Sequence, residues 1–325
     1  MKKRVRKRLK FLFNLCILLG LVYLGFTGYY WVETKAQEKE LNSIIAENER
    51  QEKEYNECIA KEYQNDNEVE DKVAELDNYI KNNYPYTSIE YYDLETGLTY
   101  TYNENTVYYG ASLIKTLDAL YIYNKALEDE SILDTKLTYT SSYQRGSSLE
   151  MAKYSFGEKV TVRNLVKYAI TVSDNSAHQM LIDYIGFSKL KAYGNSLGNN
   201  YTLIGGDNYG NIDLSDAFNY MVNVNKYINN NGELGEELRN YFDNDYDNFL
   251  NLDGVNALHK YGYYAGYFHD IGIMEDDDPY IIVVLTNYGY DNFKTIVNNI
   301  SKKVNALHEY YHNKRKVACY VEAYQ

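Results

Sequence analysis

The 325-residue chain reads as an α+β protein, with an antiparallel sheet from the two terminal segments of one domain, an inserted helical subdomain, and a membrane helix and helical stalk in front. Three observations carry this reading. β-rich runs flank Glu95-Thr96-Gly97 and recur at 259–273 and 279–287, while apolar residues between them repeat at helical spacing. Residues 11–32, FLFNLCILLGLVYLGFTGYYWV, hold no charge. Residues 33–83 are rich in Glu, Lys, Ala and Asn and contain neither Pro nor Gly.

The elements follow in chain order. Residues 1–10 form a basic segment with seven Lys or Arg, which leaves about −20 on the remainder (the net −13 less those seven cations). So acidic a remainder repels nucleic acid and excludes it as a partner. At about 1.5 Å per residue, 11–32 crosses a hydrocarbon core of roughly 30 Å. The alternative is a cleaved signal peptide, but the run exceeds the usual apolar region and no A-x-A-like site follows. Basic residues favour the cytoplasmic side, which places the amino terminus inside the cell membrane and everything after Trp31 outside. Tyr29, Tyr30 and Trp31 suit the outer interface.

The stalk, 33–83, carries Leu41, Ile44, Ile45 and Ile59 too sparsely for a heptad seam and reads as a solvated, partly helical spacer. A folded domain follows at 84–311. Its opening SIEYYDLETGLTYTYNEN reads as a hairpin, and SLIKTLDALYIYNKAL as a helix that begins at Ser112. Further helices are predicted at 161–171, 176–185, 188–196 and 214–229. The runs 259–273 and 279–287 read as two strands joined by the acidic turn Glu275–Asp278, and 291–311 as a closing helix. The tail 312–325 has basic residues and a short apolar stretch, too short to span a membrane, and is left unassigned. Tyrosine occurs 39 times and proline twice, a compositional habit from which no function follows.

Ser112-Leu113-Ile114-Lys115 is an S-x-x-K sequence. Residues three apart share a helix face, so the Lys115 amine can lie beside the Ser112 hydroxyl. A serine needs a neighbouring base before it attacks, and a partly desolvated lysine can serve. Alone the motif is weak, because a surface lysine and a helix-start serine are common. Ser173-Asp174-Asn175 follows between two apolar helices, where it supplies a hydroxyl for proton relay and an amide for a substrate carbonyl or the lysine. Its bland reading is a helix cap. Lys260-Tyr261-Gly262 opens the late β-rich run, where a lysine can pair with a substrate carboxylate and a strand edge can bind an extended peptide. Three elements in this order and setting outweigh the bland readings.

With these residues the chain resembles the class A β-lactamases and penicillin-recognising serine enzymes, whose signature is S-x-x-K, S-D-N and K-T-G. YYDLETGLTYTYNENTVYYGASLIK resembles the family's opening hairpin and nucleophile helix, and FHDIGIM with YIIVVLTN its closing strands, over roughly 84–300. The resemblance implies a β-lactamase/transpeptidase-like fold, acylation of Ser112, proton movement by Lys115 and Ser173, substrate contact at Asn175, and carboxylate binding by Lys260. It also implies an oxyanion hole from the backbone N–H groups of Ser112 and Tyr263. The substrate would be a β-lactam or a D-Ala-type peptidoglycan peptide, with no cofactor.

Two departures stand out. Tyr261 occupies the place where the family has Thr or Ser. No glutamate lies between Glu158 and Glu233, although class A enzymes activate the deacylating water with one after S-D-N. The stretch IGGDNYGNIDLSDAF offers Asp207, Asp213 and Asp216, of which the latter two flank a helix start and read as caps. Acylation is therefore expected and fast hydrolysis of a β-lactam is not. The alternative is a pocket that binds or senses wall peptides without turnover.

No metal is expected. Cys16, Cys58 and Cys319 are too few and scattered for a zinc site. Cys58 and Cys319 can pair with each other, pair between chains, or stay free. Among the histidines, His308 and His312 are four apart on a late helix without an evident third ligand, and read as a solvated face.

Overall fold

A computed structural model describes residues 2–203, 206–244, 247–289 and 292–324, with the side chains of 1–9, 11 and 12 left aside. The chain divides into two compact units, 1–61 with 315–325, and 62–314.

The first unit is dominated by α1 (Lys2–Ile59), one uninterrupted helix through both the apolar run and most of the expected stalk. Phe13, Leu18, Leu21, Leu24, Phe26 and Trp31 are exposed. From Phe13 onward the helix is long and apolar enough to cross a membrane. Beyond the apolar run, Lys35–Glu38, Arg50–Glu47 and Arg50–Glu54 pairs line the helix surface at i,i+3 and i,i+4 spacing. Such pairs favour helix where no core holds it, which explains an unbroken helix as far as Ile59, beyond which 60–66 are not helical. Cys58 and Cys319 form a disulfide, with Cα atoms 5.6 Å apart. Cys16 is a free, exposed thiol.

In the second unit, α2 (Asn67–Asn83) begins at Asp66, whose carboxylate accepts the N–H groups of Glu68 and Val69. It buries Val69, Leu76 and Ile80. The expected stalk boundary at 83 is therefore corrected: the unit starts near Glu62, and three apolar residues in a strongly charged segment suffice to dock a helix. Strands β1 (Thr87–Asp93) and β2 (Thr99–Tyr102) form the predicted hairpin. β3 (Tyr108–Tyr109) leads into a 3-10 turn, Ala111–Ile114, and α3 (Lys115–Ala126). β4 (Lys136–Thr138) and β5 (Lys159–Thr161) pair, and α4 (Val162–Thr171), α5 (Asn175–Ile185) and α6 (Phe187–Ser196) follow. β6 (Asn211–Ile212) pairs with β3 ahead of α7 (Leu214–Asn230). α8 (Gly232–Asp243) was not foreseen.

β7 (Asn256–Tyr264), β8 (Tyr267–Glu275) and β9 (Tyr280–Asn287) complete an antiparallel sheet in the order β2-β1-β9-β8-β7. The run predicted as one strand over 259–273 is thus two, broken where Ala265 and Gly266 take φ of 49° and 96°. Alternation explains the continuous apolar run of β9. Ile281, Val283 and Leu285 join the helical core of α3, α4, α5 and α7, whereas Tyr280, Ile282 and Val284 join the core beneath α2 and α9 (Phe293–Tyr324). The α+β arrangement expected from the sequence holds. The closing helix and the unassigned tail are a single helix, α9.

Candidate active site

Ser112 lies in the 3-10 turn that precedes α3, after Ala111, which adopts φ 47°. For a residue with a side chain this left-handed conformation costs roughly 1–2 kcal/mol, and Ser173 shares it at φ 53°. Strain at both approaches to one point is the kind that a surrounding structure retains at reactive sites. Lys115 is fully buried one turn on, and its Nζ lies 2.9 Å from Ser112 Oγ.

The same amine reaches across to the loop between α4 and α5. It donates to the Ser173 carbonyl at 2.6 Å, faces Ser173 Oγ at 3.1 Å, and donates to Asn175 Oδ1 at 2.6 Å. The Asn175 amide is oriented by Gly146 O at 2.9 Å. Asp174, between them, turns away from the cleft. Its carboxylate accepts four backbone N–H groups, from Ser176, Ala177, Glu150 and Met151. The cap reading of S-D-N is therefore right for Asp174, while Ser173 and Asn175 flank Ser112.

β7 closes the other side. A Cβ on Gly262 would stand 3.1 Å from Gly110 O and from Leu113 N, so only glycine lets the strand lie this close to the Ser112 turn. Tyr263, next in the strand, is half exposed and walls two cavities of about 330 and 610 Å³ that share Ser112, Asn175, Tyr209, Tyr263 and Tyr264. Tyr261 walls the larger one and packs edge-on against Phe249 at 5.6 Å. Lys260 is fully buried, its Nζ 4.2 Å from the Tyr261 ring centroid, and it is not among the residues lining either cavity.

The loop between α6 and α7 forms the remaining wall. His178 Nδ1 lies 2.5 Å from Asp118 Oδ2, and its ring packs 5.0 Å from that of Tyr209. Burial pushes the Asp118 carboxyl up. Asp216 accepts the N–H groups of Asn200 and Tyr201 at 2.6 and 2.8 Å, and burial raises it to about 6. Asp213 is the N-cap of α7. Of the carboxylates expected here, Asp213 thus caps, Asp216 clamps the loop, and Asp207 alone lines the cavity beside Ser112.

All five histidines are buried. His259 pairs with Asp270 at 2.9 Å. Burial lowers His269 to about 4, so the ring is neutral. Its Nδ1 accepts from Thr286 N–H at 3.1 Å, which leaves the proton on Nε2 to donate to Tyr109 O at 2.8 Å, three residues before Ser112. His308 and His312, expected on a solvated face, are instead buried against Asp93. The third partner lies 215 residues earlier in the chain (308 less 93), where no local pattern reveals it. Sequence reasoning also missed Tyr109, Tyr209 and Tyr264, since 39 tyrosines give no one of them a signal.

A model of the beta-lactamase enzyme family matches residues 69–310. Among solved structures, a mutant of PBP-A in an acyl-enzyme complex with penicillin-G superposes with a TM-score of 0.67 at 17% identity, covering 74% of this chain and 97% of that one. A beta-lactamase from Burkholderia phymatum gives 0.61 at 15%, covering 73% and 96%, and a class A beta-lactamase from Mycobacterium abscessus 0.62 at 17%, covering 74% and 99%. At these identities the likeness establishes the fold. No curated protein matches the sequence.

Proposed function

The chain belongs to the beta-lactamase enzyme family, and from that premise we propose that it is a membrane-anchored, extracytoplasmic serine acyl-transfer enzyme that acylates Ser112 with β-lactams or D-Ala-type peptidoglycan peptides. The observation that carries the proposal is the Lys115 amine, 2.9 Å from Ser112 Oγ and at the same time within reach of Ser173 Oγ and Asn175 Oδ1. That position puts the amine within reach of both hydroxyls between which a proton would pass.

In the proposed step the neutral Lys115 amine takes the Ser112 proton as Oγ adds to the substrate carbonyl carbon. The oxyanion is held by the backbone N–H groups of Ser112 and Tyr263, which the close packing at Gly262 supports. The proton then passes through Ser173 Oγ to the leaving nitrogen, the C–N bond breaks, and the acyl group stays on Ser112. Asn175 holds the substrate amide. Lys260, its Nζ 4.2 Å from the Tyr261 ring, supplies positive charge for the substrate carboxylate.

Release of the acyl group needs a water and a base. The segment between Glu158 and Glu233 holds no glutamate, and the carboxylates on the cavity walls are aspartates, Asp207 in the smaller cavity and Asp247 in the larger. This supports a long-lived acyl-enzyme and peptidase-type chemistry over rapid β-lactam hydrolysis. The apolar helix from Phe13 supports the anchor, and the Cys58–Cys319 disulfide supports an oxidising, extracytoplasmic compartment.

The test is intact mass of the purified full chain mixed with a penicillin over minutes to hours. A stable adduct, absent in Ser112→Ala, is expected. Rapid drug loss without adduct overturns the slow-release reading, and neither adduct nor drug loss overturns the acylation itself.

A further inference from the structure

Away from the cleft, a second set of polar side chains converges inside the second unit where β1, the β8–β9 turn and α9 meet. His308 and His312, one turn apart on α9, point their inner nitrogens at one carboxylate oxygen, Asp93 Oδ2. His312 Nε2 stands 2.5 Å from it and His308 Nδ1 3.5 Å. The Tyr91 hydroxyl closes the group, 3.3 Å from Asp93 Oδ2 and 3.0 Å from His308 Nδ1. Tyr91, Asp93, His308 and His312 are at most 3% exposed.

We propose that Asp93, His308 and His312, with the Tyr91 hydroxyl on the fourth side, form a tetrahedral site for a zinc(II) ion that fastens α9 to the sheet. The ligand atoms of Asp93, His308 and His312 all lie within 4.8 Å of one another. Four donors about 2.0–2.1 Å from an ion stand roughly 3.3 Å apart along the tetrahedron's edges. The separations of 3.0, 3.3 and 3.5 Å already match. A fourth edge of the six, 2.5 Å between Asp93 and His312, is a hydrogen bond whose proton the ion displaces, letting the pair open toward that spacing.

A second observation points the same way. Metal-bound imidazoles usually turn their other ring nitrogen toward a carboxylate, which fixes the ring and raises its basicity. His312 Nδ1 faces Asp278 Oδ2 at 3.3 Å, and His308 Nε2 faces Asp276 Oδ2 at 3.9 Å. Asp93 is itself held by its other oxygen, which accepts from the N–H groups of Glu95 and Thr96 and from the Thr96 hydroxyl at 2.7–3.1 Å. Two imidazoles and one carboxylate select zinc over calcium or magnesium, which take oxygen ligands. The ion would be structural, as the set is closed and its donors belong to the protein. This inference does not depend on the acyl-transfer reading.

The test uses the purified full chain, stripped with a chelator, incubated with zinc sulfate and dialysed. About one equivalent of retained zinc is expected, with an upward shift in Tm of roughly 5 °C at saturating zinc. His308→Gln and His312→Gln are each expected to retain less than a tenth of it while keeping their helical circular dichroism. Zinc-edge X-ray absorption on the wild-type chain, which needs no variant to fold, is expected to count two imidazole neighbours. Negligible zinc in the wild type overturns the proposal and leaves a buried ion-pair cluster that needs no metal. Zinc held without imidazole neighbours, or retained by both folded variants, overturns it equally.

Discussion

The Ser112 cleft and the Asp93 cluster are both built from a helical pair presented to the sheet, yet they are finished differently. In the cleft, Ser112 and Lys115 lie three apart at a helix start, and the buried amine faces oxygens while the serine opens into a cavity. In the cluster, His308 and His312 lie four apart in mid-helix, and both imidazoles are sealed under a turn. The cleft carries backbone strain at Ala111 and Ser173, and residues 91, 93, 308 and 312 of the cluster show no positive φ. A site that must admit a substrate leaves one reactive atom open and holds it by strained turns. A site that holds structure together is closed and relaxed.

That contrast can be broken by experiment. The largest effect is expected from Lys115→Ala, which removes the proposed proton acceptor and should slow Ser112 acylation about 10²- to 10⁴-fold, read as the rate of adduct formation by intact mass. An unchanged rate would move the base to another residue and end the parallel. Next comes His312→Ala, which leaves Asp93 buried without its closest partner. Thermal or denaturant unfolding should report a loss of about 3 kcal/mol, with the acylation rate held within roughly twofold. A comparable loss of acylation would mean that the two regions are coupled.

Gly262→Ala lies between the two in character. Its new methyl meets Gly110 O and Leu113 N at 3.1 Å and must push β7 off the nucleophile turn. A stability cost of about 1–3 kcal/mol and a roughly tenfold slower acylation are expected, the first by unfolding and the second by adduct kinetics.

The smallest effect concerns pH. Burial, with Glu104 and Asp213 nearby, raises the Glu90 carboxyl to about 7 from its usual 4.5. The folded state therefore binds this proton more tightly than the unfolded chain does. Its stabilising contribution is full below about 4.5 and is lost as pH rises through 7. Glu90→Gln should be more stable than the wild type at pH 8, by on the order of 1 kcal/mol, and should flatten stability between pH 4.5 and 7. Chemical unfolding across that range measures it. Identical slopes in both proteins would show that Glu90 titrates normally.

Much of this molecule is legible in its residues because the signals are local. The uncharged run from Phe11 to Val32, the hairpin at Glu95-Thr96-Gly97, and the helical spacing after Ser112 each rest on a period or a turn that neighbouring residues impose. S-x-x-K is likewise a local statement, since three-residue spacing on a helical turn forces Ser112 and Lys115 together. What failed was non-local. The Glu- and Lys-rich composition of 33–83 reads as stalk throughout, and only the facing core makes Val69, Leu76 and Ile80 of α2 decisive.

The sequence alone thus determined the α+β order of elements, the apolar helix, and the three motifs, all consequences of short-range geometry. Only the tertiary structure decided that Cys58 meets Cys319, that Lys260 is fully buried beside the Tyr261 ring, and that Asp207 lines the cleft. It also decided that His308 and His312 face Asp93 at the end of β1 and not the solvent. The physical reason is distance along the chain: Cys58 and Cys319, Ser112 and Asp207, and Asp93 and His308 or His312 are far apart in sequence, and the burial of Lys260 depends on what packs over β7.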